Sequence, residues 1–138
     1  MKGKVILSYW SRFKYYENYE RFRVSRSAPN GIYGYKQLPN LYPSPNLLYK
    51  FKNGLCDWRS YCIEYLTDLN NRSYADDELN GLVDLIMQGK DIVLFCYCKN
   101  MPCHKFIIGE LLLRKDCPVY YDNGTGLEIY KPKSFIGR

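Results

Sequence analysis

The chain has 138 residues, of which 46% are hydrophobic and 25% charged; this describes one globular domain able to bury a core unaided, and excludes a disordered or fibrous chain. Twenty Lys and Arg stand against fourteen Asp and Glu, leaving +6, a balance that suits an anionic small ligand as well as nucleic acid. No apolar run approaches the roughly 18 residues a membrane-spanning helix needs, so no membrane partner is expected.

The opening "MKGKVILSYW" pairs two lysines with an apolar run too short for a secretory leader, so residues 3–9 read as a buried first strand. Residues 22–26, "FRVSR", follow as a second short strand. Over residues 11–26, a segment that runs into this second strand, Arg12, Lys14, Arg21, Arg23 and Arg26 are interleaved with Phe13, Tyr15, Tyr16, Tyr19 and Phe22. Basic residues interleaved with aromatics can cradle phosphates and stack bases, and a solvated loop with core aromatics has the same composition. Residues 28–54 are punctuated by Pro29, Pro39, Pro43, Pro45 and three glycines, which predicts a long irregular excursion. Such loops are usually functional, making Tyr33, Tyr35, Lys36 and Tyr42 candidates to line a pocket.

Helical spacing then sets in. Trp58, Tyr61, Cys62, Tyr65, Leu66 and Leu69 recur at three- and four-residue steps over 56–69, with Asp57 placed to cap. Leu79, Leu82, Val83, Ile86 and Met87 repeat the pattern over 75–88, acidic at its start and closed by Gly89. "DIVLFCYC" (91–98) is apolar on both alternating faces, as a central strand is. Pro102 sits where a first helical turn begins, and the helix runs to about residue 115. "PVYY" (118–121) is a further strand, "DNGTG" turns, "LEIY" forms a last short strand, and the tail from 131 reads as loose. Strand, excursion, two helices, strand, helix, strand makes the fold α/β: a small three-layer Rossmann-like domain with a mainly parallel sheet and helices on both faces.

Six cysteines in a chain of this size, several at apolar positions, read as reduced thiols in a cytoplasmic protein. Three of them and the only histidine fall in "CYCKNMPCHK" (96–105). Together with "VILSYWS", "RVSRSAP" and "WRSYCIEYL", the stretch "LFCYCKNMPCHKFIIGELL" resembles the family catalogued as domain of unknown function 488, over roughly residues 4–115. In that family the last motif usually ends Cys-His-Arg. Here Lys105 replaces the arginine, which weakens a role carried over for a guanidinium, and Cys98 stands where an acidic residue or lysine is common, which favours metal slightly. The resemblance implies a Rossmann-like fold and roles around nucleotides or nucleic acids, with no agreed reaction.

Four readings of the cluster stay open. Cys96, Cys98, Cys103 and His104 are the four ligands a zinc site requires, although adjacent helical residues point about 100° apart. Cys103 at a helix N-terminus would be an acidic thiol with no second histidine to pair with. The same helix N-terminus flanked by Lys99, His104 and Lys105 suits a phosphate. Finally, the three cysteines could simply pack a strand–helix junction. Among carboxylates, Asp122 ends the strand 118–121 where an acid could act, while Glu64 and Glu110 lie within helices and Glu128 follows that strand.

The third reading fits the basic bias best. It places Tyr97, Lys99, Cys103, His104 and Lys105 on the phosphate side of a rim site, with Ser8, Tyr9, Arg26 and the loop tyrosines on the base side. It needs neither cofactor nor metal. The expected partner is a nucleotide-derived small molecule, with nucleic acid and a second copy of the chain as open alternatives. The aromatic, Asn- and Lys-rich composition suits a bacteriophage protein in the host cytoplasm that sequesters a nucleotide immune signal. The alternatives are an enzyme cleaving a nucleotide or N-glycosidic bond at the same site, and a nucleic-acid binder using 11–26.

Overall fold

The computed structural model describes residues 1–132. Six strands, β1 (Val5–Tyr9), β2 (Glu20–Arg23), β3 (Lys36–Gln37), β4 (Ile92–Cys96), β5 (Val119–Asp122) and β6 (Leu127–Ile129), form one sheet in the order β3-β2-β4-β1-β5-β6. Every pairing is parallel except β5 with β6. The α-helices are α1 (Pro45–Lys52), α2 (Trp58–Asn71), α3 (Ala75–Met87) and α4 (His104–Arg114), with 3-10 helices at Trp10–Tyr16 and Pro39–Leu41. The fold is thus α/β and Rossmann-like, and no helix among the described residues is long and apolar enough to cross a membrane.

The sheet order explains the layering. From β1 the chain crosses β4 to reach β2, whereas β3→β4 and β4→β5 run the other way along the sheet. The usual right hand of parallel crossovers puts the first connection on one face and the later two on the other. The buried residues divide accordingly. Val5, Leu7, Ile92, Leu94 and Cys96 pack with the α-helices, while Ile6, Val93 and Phe95, the alternate residues, pack with Trp10, Phe13 and Tyr16 of the first 3-10 helix. Both faces are covered, but very unequally. The thin side relies on aromatic packing, with Trp10 stacked on Phe95 at 5.4 Å and Phe13 at 5.1 Å from the same ring.

Several boundaries differ from the sequence reading. β2 covers 20–23 rather than 22–26, because Val24 makes the last bond to β4, its N–H donating to the Phe95 carbonyl at 3.1 Å, and Ser25 then folds back to accept from the Trp10 indole at 3.0 Å and donate to the Ser27 carbonyl. The stretch 28–54 is not irregular throughout: Ser44 caps α1 by accepting from Leu47 N, with Pro45 at the first helical position. β4 stops at Cys96 rather than 98. Pro102 precedes the helix, following a cis peptide bond from Met101, and Cys103 occupies the N-cap with an extended backbone. The two helices read over 56–69 and 75–88 are present as Trp58–Asn71 and Ala75–Met87. The first starts two residues later because Asp57 is its N-cap and accepts from Ser60 N, and Gly89 follows the second at φ +89. Of the tail, residues from 133 onwards lie outside the described residues.

Candidate functional site

Adjacent parallel strands β2, β4 and β1 end together at Arg23, Cys96 and Tyr9, and ligands of open α/β sheets bind beyond such ends. A cleft of about 400 Å³ opens there. The turn after β2 contributes Ser25, Arg26 and Ser27, while α1 contributes Leu48, Phe51 and Lys52, and α2 adds Trp58 and Tyr61. Cys96, Tyr97, Cys98, Pro102, Cys103 and His104 come from the β4–α4 connection. The aromatic side chains support one another: Trp58 and Tyr61 stack at 5.1 Å and 19°, and Phe51 lies 5.0 Å from Tyr61. The site therefore joins an apolar, planar wall to two cations, two serines and the opening turn of α4, whose first N–H groups have no intrahelical partner.

Three sulfurs meet in this cleft. Those of Cys96, Cys98 and Cys103 lie within 4.8 Å of one another, with Cys96 and Cys103 at 3.2 Å. Cys96 and Cys103 are buried, whereas Cys98 is exposed. Contacts from Cys103 and Cys96 hold the Cys98 thiol far below its ordinary range. Burial, aided by both neighbours, pushes Cys103 well up. At Cys96 the Cys103 contact favours ionisation, but the hydrogen bond with Cys98 and burial outweigh it. Negative charge in the trio is thus concentrated on the one sulfur that reaches the surface. The convergence of Cys103 follows from its extended N-cap backbone; the 100° separation applies between residues within a helix.

His104 does not join them as a fourth ligand. Its Nε2 lies 2.6 Å from the Val24 carbonyl and its Nδ1 3.8 Å from the Cys103 sulfur. Burial lowers its pKa to about 4, so at neutral pH the ring is uncharged and Nε2 carries the proton donated to Val24. Its edge meets Tyr65 at 5.7 Å.

The eight predicted ligand-binding residues fall into two neighbouring groups. Arg26, Tyr97, Cys103 and His104 line the cleft; Arg26 donates from Nε to the Pro43 carbonyl at 2.9 Å. Ser8, Tyr9, Lys99 and Lys105 lie beyond its lining, around the end of β1. Lys105 is fully buried, donating to the carbonyls of Ser8 at 2.8 Å and Cys98. Its ammonium lies 5.6 Å from the Tyr9 ring and 5.4 Å from that of Phe106, and burial lowers its pKa despite the nearby thiols. Lys99 lies 5.9 Å from Tyr9. Ser8 is buried and donates to Asp122.

Asp122 is a structural hub. One carboxylate oxygen accepts from Tyr16 at 2.6 Å, Arg12 at 2.9 Å and Ser8 at 3.2 Å, while the other accepts from Gly124 N at 2.8 Å. Burial opposes its charge, but these bonds outweigh burial and keep its pKa below the usual range.

The loop tyrosines stand elsewhere: Tyr35 packs edge-on to Trp10 and Phe13, Tyr42 lies under Arg23, and Tyr33 is exposed. Lys36 pairs with Glu20. The aromatic wall comes instead from Phe51, Trp58 and Tyr61. Trp58 and Tyr61 were legible only as apolar helix positions. In the basic segment, Arg12 is bonded to Asp122, Arg21 sits 3.9 Å over Phe13, and Arg23 donates to the Ser25 and Arg26 carbonyls.

Residues 6–116 match a family model described as DUF488-N3a, active DUF488-N3 subclade, which agrees with the resemblance carried by the β4–α4 motif. No curated protein and no solved structure matches the chain. The match covers well over half of the sequence, and the chain belongs to this family.

Proposed function

For this member of the DUF488 family we propose that the cleft between α1, α2 and the β4–α4 connection binds an anionic, nucleotide-derived small molecule. One observation carries the reading: the Phe51, Trp58 and Tyr61 wall shares a cleft with Arg26, Lys52 and the N-terminus of α4. A base can stack on the wall while phosphate oxygens meet the cations and the helix end. A volume of about 400 Å³ is within the range of small-molecule pockets. Tight binding without turnover would make the protein a sequestering agent for a nucleotide signal, the role expected of a phage-encoded protein in its host's cytoplasm.

An enzyme is the second reading. It is favoured by the ionised, exposed Cys98 in the cleft and by the word "active" in the family description. Nucleic-acid binding through residues 11–26 has less support, since Arg12, Arg21 and Arg23 are engaged with the protein's own carboxylate, rings and carbonyls.

Calorimetry of the reduced protein against nucleoside mono-, di- and triphosphates and cyclic dinucleotides tests the reading. One-to-one binding that weakens at least about 10-fold in Trp58→Ala and Arg26→Ala supports it, a loss of about 1.4 kcal/mol. No binding across the set refutes it. Chromatography of the recovered ligand separates a binder from an enzyme: intact ligand means sequestration, and cleaved ligand means catalysis.

A further inference from the structure

The three sulfurs are arranged as a set. Zinc-class ions bind thiolates at about 2.3 Å, which spaces tetrahedral sulfurs about 3.8 Å apart. Here Cys96 and Cys103 stand 3.2 Å apart and all three sulfurs lie within 4.8 Å of one another, close enough for one ion to meet all three after small side-chain shifts. Two donors are fixed by regular structure, Cys96 at the last position of β4 and Cys103 at the N-cap of α4, while Cys98 comes from the intervening loop.

Lys105 lies beside the trio. Its ammonium is fully buried and meets two carbonyl oxygens and two aromatic rings. Among the described residues it forms no ion pair with a carboxylate, and Asp122 is committed to Arg12. A divalent ion with three thiolates carries −1, a charge compatible with the lysine beside it.

We propose that Cys96, Cys98 and Cys103 hold one zinc-class divalent cation, whose fourth position opens into the cleft beside exposed Cys98. His104 stays out of the coordination sphere, with Nε2 spent on the Val24 carbonyl and Nδ1 left 3.8 Å from the Cys103 sulfur. The site goes beyond nucleotide binding and does not depend on it.

Anaerobic titration of reduced, chelator-stripped protein with Co²⁺, without nucleotide, tests the site. The expected result is thiolate-to-cobalt charge-transfer absorption that saturates at one ion per chain and is displaced by Zn²⁺. Cys98→Ser, at an exposed position, should weaken Co²⁺ by at least the roughly 10-fold that loss of an outer-shell partner costs, with an unchanged circular dichroism spectrum. Absence of charge transfer overturns the proposal. So does an unchanged affinity in Cys98→Ser, or a Cys96–Cys103 disulfide in protein purified under reducing conditions. A normal cobalt spectrum in protein that binds no nucleotide refutes the ligand reading alone, and the reverse result refutes the metal site alone.

Discussion

Acid should unfold this protein through His104. The chain has one histidine, so any proton uptake by imidazole belongs to it. In the folded state its pKa is about 4, because burial penalises the charged ring; in the unfolded chain it returns to about 6.5. Folded-state depression means that the unfolded chain binds the extra proton between these values. Stability is therefore fully present above pH 6.5 and is lost as pH falls towards 4. The linkage relation puts the loss at about 2 kcal/mol by pH 5 and about 3 kcal/mol below pH 4, a large share of a stability of about 5–15 kcal/mol. Cys98, ionised when folded, adds a slope of the same sign. The measurement therefore belongs in chelator-stripped Cys98→Ser protein, by urea denaturation from pH 7.5 to 5, with His104→Gln as the partner variant. The histidine protein should lose stability steeply below pH 6.5, and the glutamine variant should lose much less. Equal pH dependence in the two, or an imidazole proton resonance titrating near pH 6.5 in the folded protein, would refute the reasoning.

Three further outcomes follow from single contacts. Asp122→Asn keeps the shape but leaves Arg12, Tyr16 and Ser8 competing for one amide oxygen; Arg12 is only partly exposed, and the loss should be about 2–4 kcal/mol in urea denaturation. Tyr65→Phe strands the buried Leu41 carbonyl, now reached at 2.6 Å, and should cost about 1–2 kcal/mol by the same assay. At Gly3 an added Cβ would meet the Lys90 carbonyl oxygen at 1.8 Å and its carbon at 2.4 Å. Because both are main-chain atoms, Gly3→Ala should lower the melting temperature measurably, at a cost of about 1–3 kcal/mol, whereas Gly81→Ala, which meets nothing within 4 Å, should not.

What the sequence made legible follows the range of the interactions. α2, α3 and α4 and the central strand announce themselves through periodicity and caps, which are local. α1 carries local signals too, Ser44-Pro45 followed by Leu47, Leu48 and Phe51, but the surrounding prolines read as punctuation and mask them. β3 is two residues long and exists only because β2 is beside it. In the site, the cysteine–histidine cluster was visible as a string, and its geometry was not. Cys103 converges with Cys96 because it precedes the helix instead of lying in it. The aromatic wall was misplaced for a different reason: tyrosines in a long loop and aromatics on a helix look equally available until the chain has folded α2 over the end of β4.

The order of the strands also sets a timetable. β1 and β2 are made first, yet they never touch; the place between them belongs to β4, whose residues follow some seventy positions later. Pairing over such separations is slow, since loop closure must precede any gain from contact. On a ribosome, Val5–Leu7 therefore wait unpaired through most of synthesis, an apolar segment that chaperones can recognise. When Ile92–Cys96 arrive they close the sheet from both sides, and Cys98 and Cys103 emerge within the next few residues. The thiol trio is therefore brought together only as the core closes, so a half-made chain holds neither the central strand of the sheet nor the cleft at its end.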